Sequence, residues 1–466
     1  MRSIVVLIIV AAAMLVALYS RFIALLLYWW IAIFRPHEWV WTDLSHLKLS
    51  FVAGLLLVIP CFLTGKFPRL GHVVSYLMLV WLALAAIATY YYGCGSTGWR
   101  WLDHMARLML VLFLTNRLVD SPKRIFWLGT VVSCSVGFFA AKTGFFSLLR
   151  GGVVQHGFEH LGGALAGSNA FALGTAMCVF LMIATAQNAS NPAGQTAPIK
   201  WNIAWPWMRI FQVGMWVMVP LSIYQVVSLF SRGSALGLAS GLLVFVFLQE
   251  RRVSWLLKVL PFLLIAALLV PLPAGYKERM STIYEEPVES GTSAGRIHFW
   301  KVAGDIAADF PFGIGPGCYP HYYDDYDYTD GAFGRRRSVH SSHFQSLVET
   351  GYLGAVVWVL LFLLSFKALA RVRRRCRRGT LSAPLSRFYF TYANAVVSLL
   401  VVFIVGGQFY EVAHADLVWL GFMLAVILDV LSREESSKAD GEEVERAAPL
   451  DDAAQDRPQR WGAPTE

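Results

Sequence analysis

Apolar runs of about 17 to 25 residues recur along most of this chain, and each is long enough to cross a hydrocarbon layer of roughly 30 Å as a helix. They fall at 3–19, 22–34, 49–64, 72–91, 101–117, 125–147, 168–188, 206–230, 233–249, 253–272, 341–366, 388–408 and 414–432. Lipid satisfies no backbone amide, so the runs are read as helices. The fold class is therefore all-α, a polytopic membrane protein with about twelve or thirteen transmembrane helices and one large external loop. The run at 22–34 crosses only if it is tilted, reentrant or part of a longer bent helix. The first run has only Arg2 before it and no small-residue cleavage site, and it reads as a retained helix rather than a signal peptide.

The polar positions between the runs set the orientation. Residues 367–387 carry Lys367, Arg371, Arg373, Arg374, Arg375, Arg377, Arg378 and Arg387 with no acid, which assigns this loop to the cytoplasm by the positive-inside rule. Counting back helix by helix puts 273–340 outside and puts Arg251 and Arg252, Lys123 and Arg124, and Lys66 and Arg69 inside. Four basic loops thus demand one topology. The chain divides into N-terminal transmembrane helices (1–272), a large periplasmic loop with an amphipathic helix (273–340), C-terminal transmembrane helices (341–432) and a cytoplasmic tail (433–466). That tail is rich in Glu, Asp, Ala, Pro and Ser and is expected to be disordered.

Composition agrees with a membrane protein: 57% of 466 residues are hydrophobic, 15% are charged and the mean hydropathy is +0.55. The formal charge of +9 sits mostly in short loops, so it is a topology signal rather than a nucleic-acid patch. The six cysteines show no CxxC or His-paired spacing, and no metal site is implied. Cys94 and Cys318 both fall where an oxidising compartment is expected, but the sequence does not supply their separation.

The loop 273–340 is several times longer than the others, as functional loops are. Within it, Ser293–Asp309 has helical spacing at Ile297, Trp300 and Ala303 to Ala307 and ends at Pro311 and the turn Gly313-Ile-Gly-Pro-Gly317. An amphipathic helix on the membrane surface is expected, with Arg296 at its start. Arg232, in Ser231-Arg-Gly-Ser234 between two apolar runs, is costly at that depth unless it faces a cavity or an anion; Lys142 earns the same argument. A snorkelling interfacial Arg is the competing reading. His340, His343 and Glu349 stand at the external mouth of the next helix, where a histidine near arginines can act as a general base. Tyr319–Asp330 has five tyrosines and four aspartates without EF-hand spacing, suited either to sugar stacking or to a solvated loop. Arg337, just before His340, is placed to meet a phosphate or a lipid headgroup.

These stretches resemble, in their order, the O-antigen ligase and polymerase superfamily: Lys142-Thr-Gly144 leading to Gly151-Gly152 and Ser168-Asn-Ala-Phe-Ala-Leu173; Ser231-Arg-Gly233 opening a helix; Arg279-Met-Ser-Thr-Ile283 before Ala294-Gly-Arg296; and His340 followed by Glu349-Thr-Gly351 and Leu353-Gly354. The set, over roughly 120–430, is most similar to the O-glycosylation ligases associated with exosortase systems. The resemblance implies an inverting, metal-independent glycosyltransferase of the GT-C type with no cofactor, in the bacterial inner membrane. It would transfer a preassembled glycan from undecaprenyl diphosphate to the hydroxyl of a protein, lipid or glycan acceptor, or join repeat units as a polymerase. A transporter of lipid-linked sugars is the rival from another class. By resemblance Arg232 and Arg296 are the essential arginines and His340 the essential histidine, with Lys142, Arg279, Glu349 and Arg337 as substrate-binding residues.

Overall fold

The computed structural model describes residues 2–39, 47–151, 167–190, 205–249 and 292–447. The apolar run expected at 253–272 and the stretch 273–291, with Arg279, lie outside the described residues.

Every apolar run in the described part is a helix: α1 Arg2–Tyr19, α2 Arg21–Phe34, α3 Leu49–Leu63, α4 Val73–Tyr92, α5 Ser96–Leu118, α6 Pro122–Leu149, α7 Ser168–Asn188, α8 Trp205–Ser228 and α9 Arg232–Leu248, then, after α10 Thr292–Asp309 and α11 Tyr319–Tyr326, α12 Ser342–Arg378, α13 Ala383–Gly406 and α14 Asp416–Ala447. Six of the described helices are long and apolar enough to cross a membrane, and three shorter ones are apolar as well. Together they make an all-α, multi-pass membrane protein. The run at 22–34 becomes α2, only 14 residues long and closed by Arg35 in the left-handed conformation (φ 49°).

Two helices outrun their expected limits. The Arg-rich segment that reads as a loop from 367 is helical to Arg378, because arginine is a good helix former and Gly379 (φ 75°) supplies the left-handed stop. The segment 433–447, expected to be disordered, continues α14 to Ala447. Its Glu, Lys and Ala content favours a helix, Glu435 pairs with Lys438 (3.0 Å), and Glu434 is held by Arg69 (2.7 Å).

One end of the bundle gathers the basic segments. Asn116 donates to the Arg69 carbonyl (2.8 Å), Arg373 to the Leu248 carbonyl (3.2 Å), and Asp429 of α14 takes Arg371, Arg375 (2.7 Å) and His72 (3.3 Å). The end of α4 and the starts of α9 and α12 lie at the other end. There α10 and α11 form their own small core, with Phe299, Val302, Ile306, Tyr319 and Tyr323 buried together. The helix predicted at Ser293–Asp309 is therefore α10, and its apolar face packs on protein. The two tyrosines are core residues, which removes them as sugar platforms. A Cys94–Cys318 disulfide (Cα–Cα 5.5 Å) and a hydrogen bond from Tyr322 to the Tyr92 carbonyl (2.7 Å) fasten this cap to the α4–α5 turn.

Candidate active site

The site is organised around a break in α12. Gly351 sits inside that helix at φ 70° and ψ −173°, a conformation that a side chain would strain; a Cβ there would also lie 2.1 Å from the Pro311 carbonyl. The break frees backbone groups, and the loop after α10 takes them: Ile314 donates to Val348 O (3.0 Å), Gly315 to Glu349 O (3.0 Å), and Tyr352 donates to Pro311 O (3.0 Å). Irregular backbone at this depth is tolerated only where protein satisfies it. The Gly313–Gly317 turn and the Glu349-Thr-Gly351 motif are thus two halves of one junction.

Glu349 completes the junction from inside. It is fully buried, and its Oε1 accepts from Gly317 N–H (2.7 Å) and from Gln345 Nε2 (3.1 Å). His414 Nε2 lies 2.6 Å from Oε2. Gln345 also accepts from Ala413 N–H (2.9 Å). Glu349, expected as a substrate-binding residue, is placed to hold the glycine-rich loop and, with Gln345, the 410–415 connection. Its position one helical turn deeper than Gln345 and its lack of exposure are the physical reason.

The second organiser is the turn Gly407–Glu411 after α13. Tyr410 Oη lies 2.6 Å from Ser231 Oγ and accepts from Ser234 N–H (3.3 Å), so it caps the start of α9 beside Arg232. Gly233 allows the approach, since a Cβ there would stand 2.8 Å from both Phe409 and Tyr410. Ser234 donates on to Asn169 O (3.3 Å), which ties in the Ser168-Asn169 motif on α7. From the other side, Ser342 at the start of α12 donates to Tyr410 O (2.7 Å) and accepts from Val412 N–H (3.1 Å). The Arg296 guanidinium, on α10, lies over the Phe409 ring (5.6 Å). One five-residue turn therefore touches the start of α9, the start of α12 and Arg296.

His340 stands just before α12 with a left-handed backbone (φ 49°), as does Phe230 (φ 53°) two residues before Arg232. Such conformations in non-glycine residues cost energy and concentrate at functional positions. The His340 ring packs against Phe299 (5.6 Å), over which the Arg337 guanidinium also lies (5.6 Å). Burial, then the charges of Arg296 and Arg337, hold the imidazole below its usual range, so it is neutral at pH 7. Its Nε2 lies 3.3 Å from Ser338 Oγ, and Ser338 hydrogen-bonds to Glu411. Burial and the neighbouring Glu349 push the Glu411 carboxyl up to about 8. Ser338 thus links the His340 ring to the Glu411 carboxyl.

His343, one turn on, is spent. Its Nε2 lies 2.9 Å from Ile404 O and its Nδ1 accepts from Trp358 Nε1 (3.1 Å). Lys142 is exposed on α6, two turns before that helix ends at Leu149. The aspartates of 319–330 are also largely committed: Asp327 accepts from Thr329 and Gly331 N–H (2.9 Å each) and pairs with His298 (2.9 Å), and Asp324 accepts from Arg336 N–H (2.7 Å). Among the described residues, no group of three or more His, Cys, Asp and Glu side chains is placed to hold a metal ion.

Sequence reasoning missed Phe409, Tyr410, Glu411, Gln345 and His414. Glu411 and His414 were the available signal, as two titratable residues in a short connection between long apolar runs.

No curated protein matches the chain. Residues 217–359 match the family model described as O-antigen ligase, a region that contains Arg232, Arg296, His340 and the whole α12 junction. Over those residues this multi-pass membrane protein is similar to the O-antigen ligase family.

Proposed function

We propose that this protein is a glycosyltransferase that moves a preassembled glycan from a polyprenyl diphosphate carrier, undecaprenyl diphosphate in the bacterial inner membrane, to an acceptor hydroxyl on the periplasmic side. The observation that supports this reading is the Gly407–Glu411 turn, which carries Arg296 on Phe409 and packs Tyr410 against the start of α9, where Arg232 stands, and the start of α12, just after His340.

The chemistry follows from the charges. A departing diphosphate accumulates negative charge, which planar guanidinium groups neutralise through paired hydrogen bonds. Arg296 and Arg232 take that role, with Arg337 at the rim near a second phosphate. The starts of α9 and α12 add the positive ends of two helix dipoles. His340, neutral at pH 7, accepts the acceptor's hydroxyl proton on its unprotonated ring nitrogen as the oxygen attacks the anomeric carbon. The C–O bond to the diphosphate breaks on the opposite face, and the sugar inverts. Ser338, itself linked to Glu411, orients the imidazole through its Nε2. The reaction as written needs no metal and no cofactor. Ligation of a finished glycan is the main reading, and the exosortase-associated type of ligase is the subtype proposed from the motifs; joining of repeat units uses the same donor and differs only in the acceptor.

The test is transfer by the purified protein from a lipid-diphosphate-linked glycan. Arg232→Lys and Arg296→Lys should each lose most activity at normal protein level, because a point-charge ammonium does not reproduce a planar fork. Wild-type rates in both would reduce the arginines to helix anchors.

A further inference from the structure

At the opposite end of the bundle from this site, the α1–α2 junction, the end of α3 and the α5–α6 turn enclose a cavity of about 470 Å³. That volume falls within the roughly 300–1,000 Å³ of small-ligand sites. Its wall carries four cations, Arg21, Lys66, Arg117 and Arg124, against one acid, Asp120. Asp120 is taken by Arg124 (2.6 Å), which leaves three positive charges in excess on the wall. Arg124 is further fixed by the Leu118 carbonyl (2.7 Å) and by the Phe22 ring (5.1 Å), and Arg21 donates to Thr64. Lys66 and Arg117 are exposed, and among the described residues neither has a carboxylate within ion-pair distance. Two cations are thus held in position and two are left available.

We propose that this cavity binds the phosphate of an anionic phospholipid headgroup. The end of the bundle fits such a ligand: it is the end that gathers the basic segments, which by the positive-inside rule faces the cytoplasmic leaflet and its anionic lipids. The wall fits as well, since Leu18, Phe22 and Pro60 supply apolar surface beside the charges. Outside the cavity, α1 and α3 expose Leu15, Ile59, Phe62 and Leu63, which gives acyl chains an apolar path away from the headgroup. A soluble phosphate compound would match the charges and leave that apolar surface unused.

The proposal does not depend on the glycosyltransferase reading. Purified protein is titrated with phosphatidylglycerol, with phosphatidylcholine and with inorganic phosphate, and binding is read by native mass spectrometry and by thermal stability. The wild type should bind phosphatidylglycerol saturably, with affinity that weakens as salt rises. The double variant Lys66→Gln/Arg117→Gln should bind on the order of tenfold more weakly or worse, since two surface cations are lost. Lys66→Arg/Arg117→Lys keeps the charge and should keep the binding, which separates loss of the site from loss of fold. Equal protection by inorganic phosphate would assign the site to a soluble phosphate and overturn the lipid assignment. Equal binding of phosphatidylglycerol by wild type and the Gln double variant, or phosphatidylcholine binding as tight as phosphatidylglycerol, would overturn the proposal.

Discussion

The two ends of the helix bundle use charge in opposite ways. At the basic end, Asp429 gathers Arg371, Arg375 and His72, and Glu434 takes Arg69, so acids on α14 tie it to α4, α12 and the α3–α4 turn. At the other end, Arg296 and Arg337 rest against the aromatic faces of Phe409 and Phe299, while Glu349 accepts from Gly317 and Gln345 and Glu411 interacts with Ser338. An arginine on an aromatic ring is oriented yet keeps its N–H donors. The contrast separates charge that fastens helices from charge held ready for an anion.

Substitutions at the two ends should therefore fail in different ways. The largest effect on rate is expected from His340→Ala, which should lower transfer by about 10² to 10⁴ if the imidazole acts as the base. His343→Ala should keep its rate per folded molecule and lose stability instead, because Trp358 and Ile404 lose their partner. Similar rate losses in both would undo the assignment of His340. At the basic end, Asp429→Ala should cost about 3 to 5 kcal/mol, the range for breaking a buried ion cluster from one side. It should leave the rate per folded molecule unchanged. Denaturation in detergent alongside transfer measurements would check this, and a rate loss at full stability would show that the two ends are not separate in function.

A smaller effect sharpens the electrostatic side of the comparison. As the proposed base, His340 must be neutral, so activity should hold above the imidazole pKa and fall as pH drops through it. Arg337 keeps that pKa low by repelling the imidazolium. Arg337→Gln should move the acidic limb of the pH–rate profile to higher pH. A limb that stays in place or moves to lower pH would mean another group controls it.

The helices were legible in the sequence because lipid imposes one rule on every span, a long apolar run with polar ends. The run 168–188 is the clearest case: it reappears as α7, Ser168–Asn188. The candidate site was legible only where a motif carried it. Gly351 is one glycine in an apolar stretch, and nothing in its periodicity announces a broken helix; its partner turn at 313–317 lies more than thirty residues upstream. The Gly407–Glu411 turn escaped for a related reason, since its role depends on contacts to Ser231 and Ser342, far away in the chain. The Cys94–Cys318 pair spans 224 residues, a separation that composition cannot bridge. The helical continuation past 433 is not legible because a charged, polar composition reads as disorder, whereas Arg69 anchors that segment through Glu434.

The most direct test of the central claim follows the leaving group. Purified protein is supplied with a lipid-diphosphate-linked glycan and an acceptor, and the released lipid and the product's anomeric configuration are identified by mass spectrometry and NMR. The account predicts free lipid diphosphate and an inverted linkage from the wild type, with both reduced together in Arg232→Lys and Arg296→Lys. Release of lipid monophosphate, retention at the sugar, or undiminished lipid diphosphate from both lysine variants would contradict it.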